Sequence, residues 1–510
     1  MSSCRLKSLQ FLVSLILDKC NSKEKESYYI MNQSFNRRDF LAGATFATAS
    51  LALSGCFKTA GGSSSLPSAG AFPSFAPVKA RFRKPGESLN IGVIGVGGKG
   101  WSDWMPMFEN GENIVALCDV DRNTVDRALA AIAKKGKDTS QIKCYSDYRK
   151  MLDECKNLDA VTVSTPDHTH APAAIRAMKQ GCHAYVQKPL VRTIWEAHYF
   201  EQVAKACGVV TQMGNQGSSG DGLRRNVEIL QSGVLGKVTE VHVWTNRPVW
   251  PQGIQRPEGS DPVPATLDWD SWLGTAPERP FKTKAYHTFN WRGYFDFGTG
   301  AFGDMACHTM NLPFRGLKLG EVIAAECLQV EGKNKETYPS KSIVKMTYAA
   351  RQGLPEVTLF WYDGQLKPSP EIMPQVIASL GEVPKTGCLI LGDKGMMVST
   401  NDYGQEAYVA LKGEKKMKST VKHEALLAIP QTIPRCCKGG QYIEFVNACK
   451  GEGKCYSDVD HSVPILEGML VGCIAQQIPG KLTWSSSKQT FGNPAADALL
   501  RPYIRKGWEF

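Results

Sequence analysis

The sequence predicts an α/β protein: an N-terminal Rossmann-type, doubly wound parallel sheet, followed by an α+β domain with an open mixed or antiparallel sheet. Three observations predict it. From residue 89 to 213, short apolar runs alternate with helix-length stretches, as βαβ units do. The first run ends in Gly95-Val96-Gly97-Gly98-Lys99-Gly100, a G-x-G-x-x-G turn. After Gly214 the alternation gives way to Trp-, Pro- and Gly-rich loops, then to strand-like runs.

Strands are expected in order at 89–94, 114–118, 142–145, 160–164, 182–186 and 209–213, mostly bounded by Gly, Asp, Asn or Pro. Helical stretches at 124–135, 148–154, 171–179 and 195–207 lie between them. In the second half, 238–245, 343–348, 356–362, 388–391 and 396–399 read as strands, and 442–450 and 465–477 as helices that pack back. The expected organisation is a Rossmann domain at 89–213 and a substrate-binding α+β domain at 214–510.

Ahead of these, 31–56 reads as an export signal. Asn36-Arg37-Arg38-Asp39-Phe40-Leu41 precedes a mildly apolar run ending in Leu53-Ser54-Gly55-Cys56, a twin-arginine pattern with a lipobox-like end. Cys56 is the expected lipid anchor, and the expected location is periplasmic or membrane-anchored. Residues 1–30 precede Met31, where such a signal would begin, and read as an extension outside it. Residues 57–88, rich in Gly, Ser, Pro and Ala, read as a flexible linker.

The 510 residues, 42% hydrophobic and 21% charged, exceed one domain and exclude global disorder. No apolar run reaches the ~18 residues of a spanning helix, which excludes a multi-span membrane protein. The net charge of +11 is badly placed for binding nucleic acid. Residues 1–56 hold 7 Lys+Arg against 4 Asp+Glu, 57–88 hold 5 against 1, and the remainder 48 against 44. A near-neutral body lacks the basic face that phosphate backbones require. The 16 cysteines form no Cys-x-x-Cys pair, so no metal site is expected. Cys118, Cys207 and Cys473 read as buried thiols, whereas Cys436-Cys437 and Cys449/Cys455 are disulfide candidates.

The glycines of the loop allow a tight turn and close approach of backbone amides to a pyrophosphate. Asp119 ends the next strand, 19 residues past Gly100, where a carboxylate accepts both ribose hydroxyls of NAD and repels a 2′-phosphate. NAD is therefore the expected cofactor, with NADP disfavoured. Two further segments follow strands at the same sheet edge: Thr165-Pro166-Asp167-His168-Thr169-His170 and Gln187-Lys188-Pro189. Far downstream, Asp304 and His308 stand four apart in Gly298-Thr299-Gly300-Ala301-Phe302-Gly303-Asp304-Met305-Ala306-Cys307-His308, one face of a helix.

Together these residues resemble the glucose–fructose oxidoreductase/inositol dehydrogenase (Gfo/Idh/MocA) family over nearly all of 89–510. The resemblance rests on the glycine loop, Thr165-Pro166 with His168 and His170, Lys188-Pro189, and Asp304 with His308. It implies an NAD-dependent enzyme oxidising a hydroxyl of a sugar or sugar derivative, with Lys188, Asp304 and His308 as its catalytic set. His308 is the expected base, Lys188 the partner of the developing oxyanion, and Asp304 the residue that orients His308 or holds a neighbouring hydroxyl. Gly95, Gly97, Gly98, Lys99, Gly100, Asp119, Thr165, Pro166, His168, His170, Gln187 and Lys188 are expected around the cofactor. One departure stands out: the family has Glu before Lys-Pro, and this chain has Gln187, which removes a charge that favours protonated lysine.

For the substrate, Asn215, Trp244, Asn246, Arg247 and Trp291 are the expected contacts, since indoles stack on sugar rings and Asn or Arg take hydroxyls. Trp250, Trp269, Trp272 and Arg292 crowd the same region, and Trp361-Tyr362-Asp363 competes with them. Arg224-Arg225 reads as a solvated helix face. Two other functions stay open: a glycosidase or lyase that oxidises a ring carbon transiently, and a non-catalytic sugar-binding lipoprotein. The oligomeric state is not fixed by the sequence, and a homo-oligomer stays open.

Overall fold

The computed structural model describes residues 72–351 and 353–510. The extension, the export signal with Arg37, Arg38 and Cys56, and residues 57–71 lie outside the described residues.

The first sheet contains β1 (Asn90–Ile94), β2 (Asn113–Cys118), β3 (Lys143–Tyr145), β4 (Ala160–Val163), β5 (His183–Val186) and β6 (Thr211–Met213). All pairs are parallel, in the order β3-β2-β1-β4-β5-β6. This doubly wound order reverses direction between β1 and β4, which opens a crevice at the carboxyl ends of the strands. The strands begin and end within two residues of expectation. Helix Asp167–Lys179 starts four residues earlier than expected, because Pro166 caps it and the Thr-Pro-Asp-His motif runs into its first turn.

The second sheet contains β7 (Val238–Trp244), β8 (Val322–Glu331), β9 (Lys341–Tyr348), β10 (Val357–Tyr362), β11 (Gly387–Gly392), β12 (Gly395–Ser399), β13 (Ala407–Leu411), β14 (Lys418–Ser419) and β15 (Leu482–Thr483). Their order is β14-β13-β12-β11-β7-β10-β9-β8-β15, with β7 and β10 parallel and every other pair antiparallel. β8, β13 and the two-residue β14 and β15 were not expected. The outer half of β8 is exposed, and a register shift between Cys327 and Gln329 interrupts the alternation that marks a strand.

The chain's end completes the first domain. Helix Gly440–Cys449 puts Phe445, Val446 and Cys449 into the apolar cluster of Trp104, Met107 and Ile132. Helix Val459–Ala475 packs against helix Ile194–Cys207 and against helix Gly300–Thr309. Part of the expected flexible linker is docked instead. Phe72 stacks on Tyr199 (5.3 Å), the Ala80 N–H donates to the Cys207 carbonyl (3.0 Å), and Arg83 pairs with Asp159 (2.9 Å). Aromatic residues among the small ones give this stretch something to bury.

The 13 cysteines among the described residues are all free thiols. The expected pairings at Cys436-Cys437 and Cys449/Cys455 are absent, with Cys449 and Cys455 buried in the apolar cluster. Among the described residues no helix is long and apolar enough to cross a membrane, and no group of His, Cys, Asp or Glu is placed to hold a metal ion.

Phe445 is fully buried beneath the first sheet. Phe445→Ala should therefore cost ~3–5 kcal/mol, read as a lowered midpoint in chemical denaturation. A loss under ~1 kcal/mol would mean the C-terminal helix is not part of that core.

Candidate active site

Two glycines of the loop have no alternative. Gly95 has φ +81°, and a Cβ there would sit 2.5 Å from the Ser164 carbonyl oxygen. A Cβ on Gly100 would sit 2.0 Å from the Gly95 carbonyl oxygen, so the helix Lys99–Glu109 starts against the loop itself. That helix has no side-chain cap, which leaves its first amides available to an anion. Asp119 braces the loop: its carboxylate accepts the N–H groups of Val96 (2.8 Å), Gly97 (3.2 Å) and Asp121 (3.0 Å) while still bordering the cavity.

The cavity holds about 670 Å³ at the carboxyl edge of the first sheet, within the usual range for ligand sites. Its second wall comes from the long segment after β7. Arg122 N–H donates to the Thr266 carbonyl (2.9 Å), Asp268 N–H to the Val120 carbonyl (2.8 Å) and Ser146 Oγ to Asp268 (2.7 Å). This docking brings Trp272, His287, Phe289 and Trp291 to the cavity that the glycine loop also lines.

Between the two domains, Lys188 Nζ donates to Asp304 Oδ1 (2.9 Å) and to the Asp304 carbonyl (3.0 Å), and Arg292 Nε lies 3.3 Å from the same carboxylate oxygen. Burial works against both charges, but each protects the other. The Lys188 ammonium is raised above its ordinary pKa, and the Asp304 carboxyl is held below its own by Lys188 and Arg292. Asp304 does not orient His308 as expected; Lys188 and Arg292 take it.

Asn215 orients His308 instead. It is fully buried, its Nδ2 donates to the Cys307 carbonyl (2.7 Å), and its Oδ1 lies 3.1 Å from His308 Nδ1. The carbonyl fixes which end of the amide is the donor, so Oδ1 must accept Nδ1–H. The remaining lone pair is on Nε2, which has no hydrogen-bond partner among the described residues. Burial, then Lys188, push the His308 pKa down to about 3, so the ring is a neutral acceptor. The Tyr403 ring meets it edge-on at 5.2 Å.

Of the other expected cofactor residues, Gly97, Gly98, Lys99, Thr165, Pro166 and Gln187 border the cavity, while Gly100 lies beneath the loop. His168 and His170 do not. His168 Nε2 donates to the Trp272 carbonyl (3.0 Å) with its ring against Trp272 and Phe297, and His170 lies between the carbonyls of Pro189 (2.8 Å) and Thr165 (2.9 Å). The first helical turn sends both inward and leaves Asp167 and Thr169 at the cavity. On the substrate side, Arg247 and Trp291 border the cavity, as do Trp250, Trp272 and Arg292. Trp244 lies on the opposite sheet face, with Met373 and Val376, its Nε1 donating to the Pro384 carbonyl (2.8 Å). Asn246 turns aside to accept from Arg247. Trp361 stacks on Phe302, and Asp363 accepts from Ser342 and Trp361 in the interior. Arg224 is no solvated residue: it is buried, paired to Glu444 (2.7 Å) and stacked over Tyr456.

Sequence reasoning missed Asp103, Asp167, His287, Asp402 and Tyr403. Asp103 bonds Gln187 (2.9 Å), and the other four border the cavity. Asp167 sat inside the recognised motif. Asp402-Tyr403 lies in a turn between β12 and β13 that carries no motif.

Comparison with known proteins follows the same division. Residues 89–215 match a model described as an oxidoreductase family, NAD-binding Rossmann fold, and residues 224–349 match its C-terminal alpha/beta domain. Both models are those of the Gfo/Idh/MocA oxidoreductase family. Among curated proteins, an alpha-N-acetylgalactosaminidase of Shewanella oneidensis is 33% identical over 166 residues, 32% of this chain and 35% of that protein. A glycosyl hydrolase family 109 protein of Shewanella sp. is 37% identical over 111 residues, 21% of this chain and 24% of that protein. The chain thus matches only about a quarter to a third of those relatives' length. Solved structures share the fold. The WlbA dehydrogenase of Bordetella pertussis, in complex with NADH and UDP-GlcNAcA, gives a TM-score of 0.53 at 15% identity over 78% of this chain and 99% of that one. An inositol dehydrogenase homolog of Azotobacter vinelandii, with NADH and myo-inositol, gives 0.52 at 17% over 80% and 100%.

Three buried histidines make the fold acid-sensitive. His168, His183 and His308 are held at about 3, 4 and 3, chiefly by burial. His183 is neutral by its bonds too, donating to the Arg81 carbonyl and accepting the Val210 N–H. The unfolded chain titrates them near ~6.5, so it binds more protons below that pH and stability falls as pH drops from 6.5 toward 4. Each histidine contributes ~1.4 kcal/mol per pH unit in that window. Denaturation midpoints at pH 7 and 5 should show the fall, and His183→Gln should reduce it. An unchanged midpoint would mean these rings are charged in the fold.

Proposed function

We propose that this protein is an NAD-dependent oxidoreductase acting on a hydroxyl of a sugar or sugar derivative. The observation that carries the reading is the His308 ring, locked by Asn215 with its Nε2 lone pair free beside the Lys188–Asp304 pair. The residues present fit the cofactor: a glycine loop against an uncapped helix start, and a carboxylate at the end of β2. NAD, when bound, supplies the hydride acceptor. His308 Nε2 accepts the hydroxyl proton. Lys188 donates to the same oxygen and offsets its developing charge. Asp304 keeps the lysine charged and in place, while the aromatic wall of Trp250, Phe289 and Trp291 excludes water and offers apolar faces to a pyranose ring.

A second reading has its own support. Hydride transfer alone needs one base, yet Asp167 and Tyr403 also border the cavity, and Asp167 is pushed up to about 7 by burial and by Asp304. A glycosidase or lyase cycle uses such additional groups, removing a proton beside a transient ketone and returning one to the leaving oxygen. The partial relatives named as glycosidases point the same way. Retention of NAD and export through Arg37-Arg38 with anchoring at Cys56 complete the proposal; the docked segment at 266–268 supports retention by walling the cavity.

One preparation tests these statements. Protein recovered from the membrane fraction without added nucleotide should release near-stoichiometric NAD on denaturation. Incubated with free sugars and with nitrophenyl N-acetylhexosaminides, it should form NADH under the first reading and release nitrophenol without net NADH under the second. His308→Ala and Lys188→Ala should each cut turnover ~100–10,000-fold with NADH still bound. Near-normal turnover in both variants would overturn the catalytic assignment, apo-protein would overturn retention, and a Cys56→Ser variant still in the membrane fraction would overturn the anchor.

A further inference from the structure

Beneath the glycine loop lies a carboxylate that the reaction does not use. Asp103, on helix Lys99–Glu109, is fully buried. It is ion-paired to Lys99 one turn earlier, and it accepts the Ser164 hydroxyl (2.8 Å) at the end of β4 and the Gln187 amide Nε2 (2.9 Å) at the end of β5. One group thus ties the glycine-loop helix to both strand ends flanking the cofactor crevice. Gln187 is held at both ends: its Nε2 donates to Asp103, and its Oε1 lies 3.2 Å from the Lys188 backbone N–H. The amide is polarised in one sense, and a glutamate could not copy it. There is no room to swing away, because a Cβ on Gly214 would already lie 2.3 Å from Nε2.

We propose that Asp103 and Gln187 are a positioning pair that must hold one and only one carboxylate between them. Asp103 supplies, from the helix, the negative charge that the family pattern puts at 187. The pair fixes the Lys188 turn and the glycine loop relative to each other. The charged and titratable groups facing it are Lys99 on the same helix, Tyr442 on helix Gly440–Cys449, whose hydroxyl is 3.2 Å from Lys99 Nζ, and Tyr185 on β5. Lys99 is the only cation among them, and one carboxylate neutralises it. Two carboxylates in contact would have to share a proton.

The nucleotide readout rests on the proposed NAD-dependent function; the pair itself does not. In Gln187→Glu, NADH affinity, followed by nicotinamide fluorescence, should fall ~10-fold or more between pH 6 and 8.5 as the shared proton is lost, a factor of ten per pKa unit. The double variant Asp103→Asn with Gln187→Glu moves the carboxylate but keeps an amide–carboxylate contact, and should regain wild-type affinity and a flat pH profile. The same series is melted without nucleotide. Gln187→Glu should lose melting temperature from pH 6 to 8.5 relative to wild type, and the double variant should not. A Gln187→Glu protein with the wild-type pH profile in both measurements would overturn the pair, as would a double variant no better than the single. Wild type that fails to bind NADH would overturn the cofactor reading instead, and the melting series would still decide the pair.

Discussion

The contact between Lys188 and Asp304 is the constraint on which the site depends. It joins the end of β5 in one domain to helix Gly300–Thr309 in the other, with both side chains largely out of water. Removing one partner from such a pair leaves an uncompensated charge and typically costs ~3–5 kcal/mol. The two domains therefore meet at a point where separation is electrostatically expensive. Asp304 has a second cation in Arg292, so one carboxylate is shared by two cations, while the remaining N–H of Lys188 stays available to a ligand.

His308 sits one turn from that pair, and its neutrality follows chiefly from burial. A lysine cation nearby and a desolvated ring both oppose an imidazolium. Asn215 adds direction, because an amide pinned by the Cys307 carbonyl admits one tautomer only. A proton taken up on Nε2 is thus held in an environment that favours giving it back. That property suits a reaction in which the proton is carried for one step.

Much of the fold was legible because its signals are local. The βαβ alternation, the glycine loop and the i, i+4 spacing of Asp304 and His308 are each read from neighbouring residues. Lys188 and Asp304 were joined by resemblance, and the structure places them in contact. What failed was side-chain direction. His168 and His170 share a motif with Asp167, yet the helix start turns them into the interior and Asp167 toward the cavity. Trp244 lies on a strand where alternate residues face opposite ways, and composition does not say which face is which. Asn215, expected to touch substrate, bonds the His308 ring instead. Asp103 and Tyr403 were invisible, since Asp103 meets Gln187 across 84 residues of chain and Tyr403 meets Gln216 across 187.

The packing of helix Gly440–Cys449 into the first sheet's apolar cluster bears on how the protein is made. Synthesis is vectorial, and domains usually fold as their own residues emerge. Here the nucleotide-binding unit lacks part of its interior until residue 449 has been translated. Its strands must wait, exposed or chaperoned, for a helix encoded far downstream of β6. Cofactor capture then follows synthesis of the second sheet, and a product that stops before Gly440 cannot present a finished binding crevice.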